Sequence, residues 1–401
     1  MSVFGLTDAE VIAHVRAVSG DQHDARGVRR LFARAAWSGI AEPGDRMAGV
    51  VVGSVGADVA LEALLAGWSA ERWQAELSHS GVGTVTAAEI GSAVDRWAPR
   101  LNSAQVLRSL SHAARFAVRL LTPEDPGWPV PVDELSVHAP LALWVRGRLD
   151  DFQVVERSVA LVGARAATGY GEHVTMESTV GLVERGFAIV SGAAYGIDGA
   201  AHRAALASHG TTIAVLAGGV DRFYPSGHDA LLTRIVDSGA VISELPCGQP
   251  PTRWRFLQRN RIIAALSRAT VVLEAGWRSG SLNTAGHASQ LGRPLGAVPG
   301  PITSAASAGC HRLVRDYGAT LVTGAGDMAE LAGDTVTERV TERRSAEQTR
   351  VLDALAVRSA RPVDDIAARS GLAPADVVAV LGVLHLEERV VEHPGGWVRR
   401  S

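Results

Sequence analysis

The sequence contains no lysine: all 39 of its Lys and Arg residues are arginine. A Schiff-base enzyme that uses pyridoxal phosphate needs an amine side chain, so that class of enzyme is excluded. A Walker A nucleotide site is excluded too, because it needs a lysine after its glycines. Both exclusions are chemical and hold whatever the reason for the missing residue type.

Cysteine is scarce as well. Cys247 and Cys310 have no C-x-x-C spacing, so we expect no zinc site and no disulfide framework, and we predict no other metal and no cofactor. No run of residues is long and apolar enough to span a membrane. The first ten residues lack the basic start and apolar block of a signal peptide. We therefore expect a cytoplasmic protein with no membrane partner.

The 401 residues, 47% of them hydrophobic and 20% charged, suffice for two or three globular domains. Helical spacing, glycine and proline breaks and charge predict a succession of five segments. These are a polar extension (1–30), a small all-helical, SAM-like domain (31–121), an α/β core (122–332), a polar linker (333–347) and a winged-helix-like domain (348–401). Four tryptophans of the helical domain are predicted to be core residues: Trp37, Trp68, Trp73 and Trp97.

The central segment predicts an α/β fold. Its β-branched runs fall at 158–163, 188–191, 211–216, 240–243, 270–274 and 295–298. Its helical patterns fall at 171–185, 198–208, 230–237, 260–267 and 284–290. Strands that alternate with crossover helices imply a mostly parallel sheet covered on both faces. Ligands of such sheets bind beyond the carboxyl ends of the strands.

The most informative segment is FLQRNRII, residues 256–263. Arg259 and Arg261 flank Asn260 at a predicted loop-to-helix junction. A helix N-terminus offers free backbone N–H groups, and arginine beside it makes a site for an anion such as phosphate. Five arginines and no acidic residue lie between Arg253 and Arg268, although the net charge of the chain is −3. The positive charge is therefore local.

Small or polar residues follow nearly every predicted strand. We predict that they form a polyanion-binding edge together with the arginine segment: Gly163, Arg165, Ser191, Gly192, Gly218, Gly219, Ser243, Ser279, Gly280 and Ser281. The loop Gly163-Ala164-Arg165 does not continue as G-x-G-x-x-G, and no acidic residue closes the second strand to hold a ribose. A dinucleotide oxidoreductase is therefore poorly supported.

Ser191, Asp198 and His202 suggest a catalytic triad by residue type alone. Spacing does not establish the hydrogen-bonded order that a triad needs. Helix capping by Asp198 together with a local Asp198–His202 pair is the favoured interpretation.

Two carboxylates and two aromatic side chains belong to the same predicted edge. Glu244 and Glu274 would repel phosphates, so we expect them to orient Arg259 and Arg261 or to meet base edges. Phe256 and Trp254 offer stacking surfaces for unpaired bases. Core packing is an equal alternative for Phe256 and the favoured one for Trp254.

The C-terminal segment has the layout of a winged helix, with helices predicted at 351–357, 363–370 and 373–388 and a hairpin around Gly395. Its third helix would be the recognition helix. That helix carries Asp376, Glu387 and Glu388 and no arginine, whereas a helix that faces phosphates should be basic. A protein-contact or vestigial module and a DNA-reading role both remain open.

In order, these motifs resemble the DNA-processing protein A (DprA, also called Smf) family. The resemblance covers at least residues 123–328 and is specific there. The matching positions are Gly163-Ala-Arg165, Ser191-Gly-Ala-Ala-Tyr-Gly-Ile-Asp198, Tyr224-Pro225, Ser243-Glu244, Phe256-x-x-Arg-Asn-Arg-Ile262, Ser279-Gly-Ser281, Pro299-Gly300 and Gly318-Ala319.

The resemblance implies an extended Rossmann-type core that binds single-stranded DNA, protects it and helps to load the RecA recombinase in natural transformation. It also implies a homodimer formed through that core, with no ATPase or nuclease activity of its own, so we expect no enzyme. The DNA pocket carries over to Arg165, Phe256, Arg259 and Arg261. Three positions depart from the family pattern, namely Ala164, Leu257 and His311; they concern the details of the pocket.

Two rival functions remain. A nucleoside-monophosphate N-glycosidase resembles this fold, but such enzymes look as though they need a Pro-Gly-Gly-x-Gly-Thr loop and a nearby catalytic glutamate. The corresponding loop here, residues 275–281, has the sequence AGWRSGS and lacks the paired glycines. The other rival is an adaptor that acts through the C-terminal segment.

Overall fold

The structure, a computed structural model, describes residues 4–19, 23–79, 85–149, 151–334, 345–357, 359–387 and 389–400. The chain divides into one unit that ends at Asp334 and a second that starts at Thr335, and each is described by itself. The predicted linker falls mostly outside the described ranges, as do the glycines at 81 and 83.

Seven helices come first among the described residues, and together they are called the helical region here. They are α1 (Asp8–Ser19), α2 (Ala25–Ile40), α3 (Arg46–Val55), α4 (Ala57–Leu65), α5 (Ala70–His79), α6 (Ala87–Trp97) and α7 (Ser103–Arg115). Side-chain caps start several of them, for example Asp45 on α3 and the Thr86–Glu89 capping box on α6.

The first of these helices corrects the prediction of a polar extension up to residue 30. Val11, Val15 and Val18 of α1 are buried against α2 and α7. Their spacing places them on one face of a helix, which gives α1 an apolar side to bury. The predicted tryptophan core is confirmed for Trp37, Trp73 and Trp97, which are almost fully buried, while Trp68 is half-buried against the same core.

A sheet of nine strands follows within the described residues. The strands are β1 (Arg119–Leu121), β2 (Leu143–Gly147), β3 (Ser158–Gly163), β4 (Ala188–Ser191), β5 (Thr212–Val215), β6 (Ala240–Ser243), β7 (Ala269–Glu274), β8 (Leu295–Ala297) and β9 (Thr320–Leu321). Their order is β1-β2-β6-β5-β4-β3-β7-β8-β9. The strands from β3 onward pair in parallel, and β2 joins β6 antiparallel.

The predicted mostly parallel α/β fold is confirmed. All six predicted strands are present to within one residue at each end. The sequence analysis missed β1, β2 and β9. Two of these lie at the outer edges of the sheet and β9 has only two residues, so their hydrophobic patterns are too short to stand out.

Strand order reverses beside β3. The chain passes outward through β4, β5 and β6, then returns across the sheet to place β7 on the other side of β3. The helices α8 (Gly169–Glu184), α9 (Ile197–Ala207) and α10 (Asp229–Ser238) link the first strands. The helices α11 (Arg253–Leu266), α12 (Ser281–Gln290) and α13 (Ala308–Tyr317) link the later ones. Such a reversal is a topological switch point, where open α/β sheets leave a crevice at their carboxyl edge.

Alternate residues of β3 fill two separate cores. Val159 and Leu161 pack in the cluster that includes α8, α9 and α14 (Ala325–Leu331). Ala160 and Val162 pack in the cluster that includes α11 and α12. Every residue from 158 to 162 is buried, as expected for a strand covered by helices on both faces.

The second unit contains α15 (Ala346–Ala354), α16 (Val363–Ser370), α17 (Pro374–Leu386) and the antiparallel hairpin of β10 (Val390–His393) and β11 (Gly396–Arg399). Its core includes Val351, Ile366, Leu381 and Leu384. Gly371 ends α16 in the left-handed conformation, which turns the chain into α17. The predicted winged-helix layout is confirmed.

No single helix of the described residues is long and apolar enough to cross a membrane. Two helix pairs, α3 with α4 and α16 with α17, reach the required length and composition only together, and they are bent by 110° and 103°.

Candidate nucleic-acid interface

A cavity of about 650 Å³ opens at the carboxyl ends of β3 and β7. It is called the switch-point cavity here. Its walls are the loop after β3, the loop after β7, one side of α11 and the start of α12. Of the predicted site residues, eight line it: Gly163, Arg165, Phe256, Arg259, Asn260, Ser279, Gly280 and Ser281.

The loop that carries Arg165 is held by backbone contacts. The N–H of Ala164 donates to the carbonyl of Glu274 at 2.7 Å, and the N–H of Ile197 donates to the carbonyl of Ala164 at 3.2 Å. Gly196 has φ +75°, and a Cβ there would collide with the backbone of Ala164 and Arg165. Glycine at 196 therefore lets the loop after β4 approach the loop after β3.

Two guanidinium groups at the mouth of this cavity have no polar partner among the described residues. Arg165 and Arg278 both line the cavity and are exposed. Neither makes a hydrogen bond or ion pair with another described residue; the guanidinium of Arg165 lies 5.2 Å from the Phe256 ring. Arginine presents five donors in a planar fork suited to phosphate, so both are available to an anionic ligand.

Arg259 lies deeper in the same cavity and is only 6% exposed. Its Nη1 donates to the carbonyl of Val215 at the end of β5 at 2.9 Å, whereas its Nε has no partner among the described residues. A Cβ at Gly192 would overlap this guanidinium, so glycine makes room for it. Burial lowers the pKa of Arg259 to about 10 despite the nearby Asp198, and the group stays charged at neutral pH.

Asp198 is the second residue of α9, after Gly196 at the N-cap position. The prediction that Asp198 caps this helix is therefore wrong. Its Oδ2 accepts instead from the N–H groups of Gly192 and Ala194, at 3.2 and 3.4 Å. Burial raises the pKa of Asp198, against the opposing effect of the Arg259 charge.

The start of α12 forms the far wall. Asn260 Nδ2 donates to Asn283 Oδ1 at 3.1 Å and thereby ties α11 to α12. The hydroxyls of Ser279 and Ser281 lie 2.8 Å apart. Gly280, at the N-cap position of α12, and Ser281, its first residue, both line the cavity, so the N-terminus of α12 brings its partial positive charge to the cavity wall.

The arginine segment is not at a helix start, which corrects the sequence prediction. α11 begins at Arg253, capped by the Thr252 hydroxyl, so Arg259 and Arg261 lie in its second and third turns. Arg261 is 3% exposed, does not line the cavity and pairs with Glu244. The structure therefore does not bring Arg261 to the cavity with Arg259, and its assignment to DNA stays a prediction.

Five further predicted positions are buried and do not line the cavity. Ser191 donates to the carbonyl of Leu161 at 2.6 Å, and the Ser243 hydroxyl accepts from the Leu245 N–H at 3.0 Å. Gly218 and Gly219 are covered by residues 246–251. Gly192 contacts Arg259 but does not line the cavity. The carboxyl ends of β5 and β6 do not open to a cavity of this kind, because the segment after β6 and the helical region cover them.

The triad is not assembled. His202 Nδ1 bonds to the Thr212 hydroxyl at 2.7 Å and its Nε2 has no partner among the described residues, so the expected Asp198–His202 pair is absent from them. The Ser191 hydroxyl is turned to the backbone of β3. Burial lowers the pKa of His202 to about 3, which keeps the ring neutral.

Of the two carboxylates predicted at the edge of the sheet, Glu244 pairs with Arg261 as predicted. Glu274 does not orient Arg259. Its two oxygens accept from the backbone N–H and the hydroxyl of Thr168, at 2.8 and 2.6 Å. It thereby fixes the start of α8.

Two aromatic side chains, Phe256 and Trp277, line the cavity. The ring of Phe256 lies 5.6 Å from that of Tyr224. Trp254 is 56% exposed, so the favoured prediction of core packing is wrong for it, but it lies outside this cavity. Trp277 and Arg278 also line the cavity and were not among the predicted site residues, although the sequence pattern places their loop at the edge of the sheet. No group of three His, Cys, Asp or Glu residues in the described ranges is arranged to hold a metal ion.

Comparison with known families gives two matches. Residues 119–333 match the family model described as DNA recombination-mediator protein A, and residues 336–396 match the DprA winged helix domain. Among curated relatives, the putative DNA processing protein DprA of Mycobacterium tuberculosis is 49% identical over 299 residues, which cover 70% of this chain and 76% of that protein. Protein Smf of Escherichia coli is 42% identical over 204 residues, 51% of this chain and 54% of the relative.

A solved structure is similar as well. The X-ray structure of DNA processing protein A from Streptococcus pneumoniae aligns with a TM-score of 0.58 and 32% identity. The alignment covers 75% of this chain and 97% of that one.

Proposed function

Because the chain belongs to the DNA recombination-mediator protein A family, whose relatives are named DNA processing proteins, we propose that it binds single-stranded DNA in the switch-point cavity. One observation carries the proposal. Arg165 and Arg278, free of described partners, and Arg259, buried with an unpartnered Nε, converge on one cavity that also exposes the Phe256 ring.

The chemistry of this set fits an unpaired strand. Arginine forks and the N-terminus of α12 suit phosphates. Phe256, whose ring centre lies 5.2 Å from the guanidinium carbon of Arg165 and 5.8 Å from that of Arg259, offers a stacking surface for a base beside cationic groups. In a duplex the base faces are covered by their neighbours, so stacking on protein aromatics favours single strands.

The wider role belongs to the same proposal. We infer that the chain protects single strands and helps to load the RecA recombinase, in natural transformation or in general recombination, as a cytoplasmic homodimer joined through its α/β core. This rests on the family and on the strand-binding chemistry of the cavity. A glycosidase is disfavoured, because Asp198 is the only carboxylate among the described residues that line the cavity and its oxygen is occupied by backbone N–H groups.

The test is fluorescence anisotropy of a labelled single strand and of a matched duplex over a range of salt concentrations. We expect salt-sensitive binding that prefers the single strand. Arg165→Ala and Arg278→Ala should each weaken binding and reduce the slope of log K against log salt by about 0.7, the value for one phosphate contact on a single strand.

Arg148→Ala is the matched control, because Arg148 is exposed at the opposite, amino edge of the sheet, next to the pairing of Gly147 with Ala240. It removes the same charge and should leave the slope unchanged. Wild-type affinity in both cavity variants would refute the assignment of this site.

A further inference from the structure

Trp277 stands on the loop after β7 at the mouth of the switch-point cavity and is 53% exposed. The guanidinium carbon of Arg312, on α13, lies 5.1 Å from its ring and 5.5 Å from the ring of Tyr317. Arg312 Nη2 also donates to the Tyr317 hydroxyl at 3.1 Å. These three residues are called the α13 platform here.

Packing of the protein alone does not account for this arrangement. Trp37, Trp73 and Trp97 are at most 1% exposed and belong to the core of the helical region. At Trp277 about half the side chain faces water, and Tyr317 is 47% exposed. A guanidinium placed against both rings restrains them while leaving ring surface open, which preorganises them for a ligand with a flat face.

We propose that the α13 platform is a second base-stacking site, which binds the strand where it leaves the switch-point cavity on the side of α13. Trp277 stacks on an unpaired base, and Arg312 holds the ring. The inference rests on the proposed function and extends it: the strand runs from Phe256 through the cavity to Trp277.

The charges around the platform agree with an anionic strand. Arg278, adjacent to Trp277, is exposed and has no described partner, so it can contact the phosphate that precedes or follows the stacked base. The acidic group nearby is Asp316, which pairs with Arg315 at 2.6 Å and with Arg312 at 3.8 Å. Its charge is therefore already balanced by two guanidinium groups.

The experiment compares Trp277→Ala with Trp68→Ala in the full-length chain. Trp68 is the control, since a guanidinium, that of Arg72, also lies against its ring at 3.9 Å, but it belongs to the helical region and does not line the cavity. The probes are labelled oligothymidylates of increasing length. Removing one stacking partner should weaken binding about 5- to 150-fold. We expect this loss with Trp277→Ala for long strands, little loss for the shortest strand that binds, and no loss with Trp68→Ala.

A second measurement ties the effect to stacking. A single abasic position is moved along the long strand. At one position it should weaken wild-type binding while leaving the already weakened Trp277→Ala unaffected, which is the coupling expected of two groups in contact. Trp277→Phe should restore most of the affinity, since it restores an aromatic face.

The outcomes separate the two proposals. If wild type binds no single strand, the proposed function fails. If Arg165→Ala weakens binding but Trp277→Ala matches wild type at every strand length, the cavity stands and the α13 platform is refuted. A Trp277→Ala variant that unfolds at lower temperature but binds strands normally would also refute it, since the ring would then serve only the fold.

Discussion

Arg261 and Arg165 are the same residue type near the same edge of the sheet, yet their surroundings differ completely. Arg261 is 3% exposed and forms an ion pair with Glu244, whereas Arg165 is exposed and has no described ion-pair partner. The sequence analysis assigned both to DNA. Residue type alone identifies a cation, but burial decides whether that cation serves the fold or a ligand.

We predict opposite effects on stability for the two residues. Arg261→Ala leaves the Glu244 carboxylate buried without its counter-ion, and the free energy of unfolding should fall by about 3–5 kcal/mol. Arg165→Ala removes an exposed side chain, and the change should stay within about 0.5 kcal/mol. Urea unfolding followed by circular dichroism measures both. Equal stability of the two variants would contradict the structural role of Arg261.

Eight of the fourteen predicted site residues line the cavity. They could be predicted because the strand pattern shows which residues follow the carboxyl ends of parallel strands and which lie in the arginine segment. The other six could not be separated from them. Ser191 and Ser243 end their strands as Gly163 does, but their hydroxyls bond to neighbouring backbone. Only the order of strands across the sheet shows which loops meet, and that order is not contained in a local pattern.

At the scale of the element, α11 explains the largest difference from the sequence prediction. The predicted helix began at residue 260, whereas α11 begins at Arg253 after the Thr252 cap. Its first turns carry arginine and aromatic residues that do not give an amphipathic pattern, because one side covers the cavity and another contacts the helical region. A helix with two partners has no single apolar stripe, so periodicity underestimates its length.

The solvent-exposed side of α17 is largely apolar. Val378 and Val383 are about half exposed and Leu386 is 86% exposed, in the position where a winged helix usually reads DNA. An apolar surface whose exposed charge on α17, Asp376, is negative is unsuited to phosphates. The structure therefore favours the protein-contact role that the sequence left open for this helix.

Leu384 and Leu386 test which side of α17 serves the fold. Leu384 is 1% exposed in the core of the second unit, so Leu384→Ala should lower the free energy of unfolding by about 2–5 kcal/mol. Leu386→Ala should change it by less than about 0.5 kcal/mol. Thermal unfolding followed by circular dichroism compares them. A larger loss with Leu386→Ala would mean that this side chain is covered in solution.

At the scale of the whole molecule, the helical region is fastened to the α/β core beside the cavity. Glu42 accepts from Arg255 Nη2 at 2.9 Å and Nε at 3.0 Å, and from Arg100 Nη2 at 2.6 Å. Burial alone would raise the pKa of Glu42, but the two guanidinium groups outweigh it and hold the pKa below its usual value. The Glu42 carboxylate thus links Arg100, which lies just before α7, to Arg255 in the first turn of α11.

Glu42→Gln should lower the free energy of unfolding by about 1–2 kcal/mol at neutral pH, between the values for exposed and buried ion pairs. A carboxylate with a lowered pKa stabilises the fold above its ordinary pKa of 4.5 and loses that effect as the pH falls through the folded-state value. The difference from wild type should therefore shrink below pH 4.5. Glu62→Gln, at an exposed position on α4, is the control. A difference that does not depend on pH would argue against a charge effect.

The reversal of strand order at β3 also determines when the cavity forms during synthesis and folding. One wall of the cavity comes from residues near Arg165 and the opposite wall from residues near Ser281, more than a hundred positions later in the chain. During synthesis, a ribosome-bound chain that has emerged only as far as β6 has its first four parallel strands but only the part of the cavity wall that follows β3 and β4. The cavity is completed only when the second half of the sheet docks, so the proposed affinity for a single strand would arise only after the core has folded.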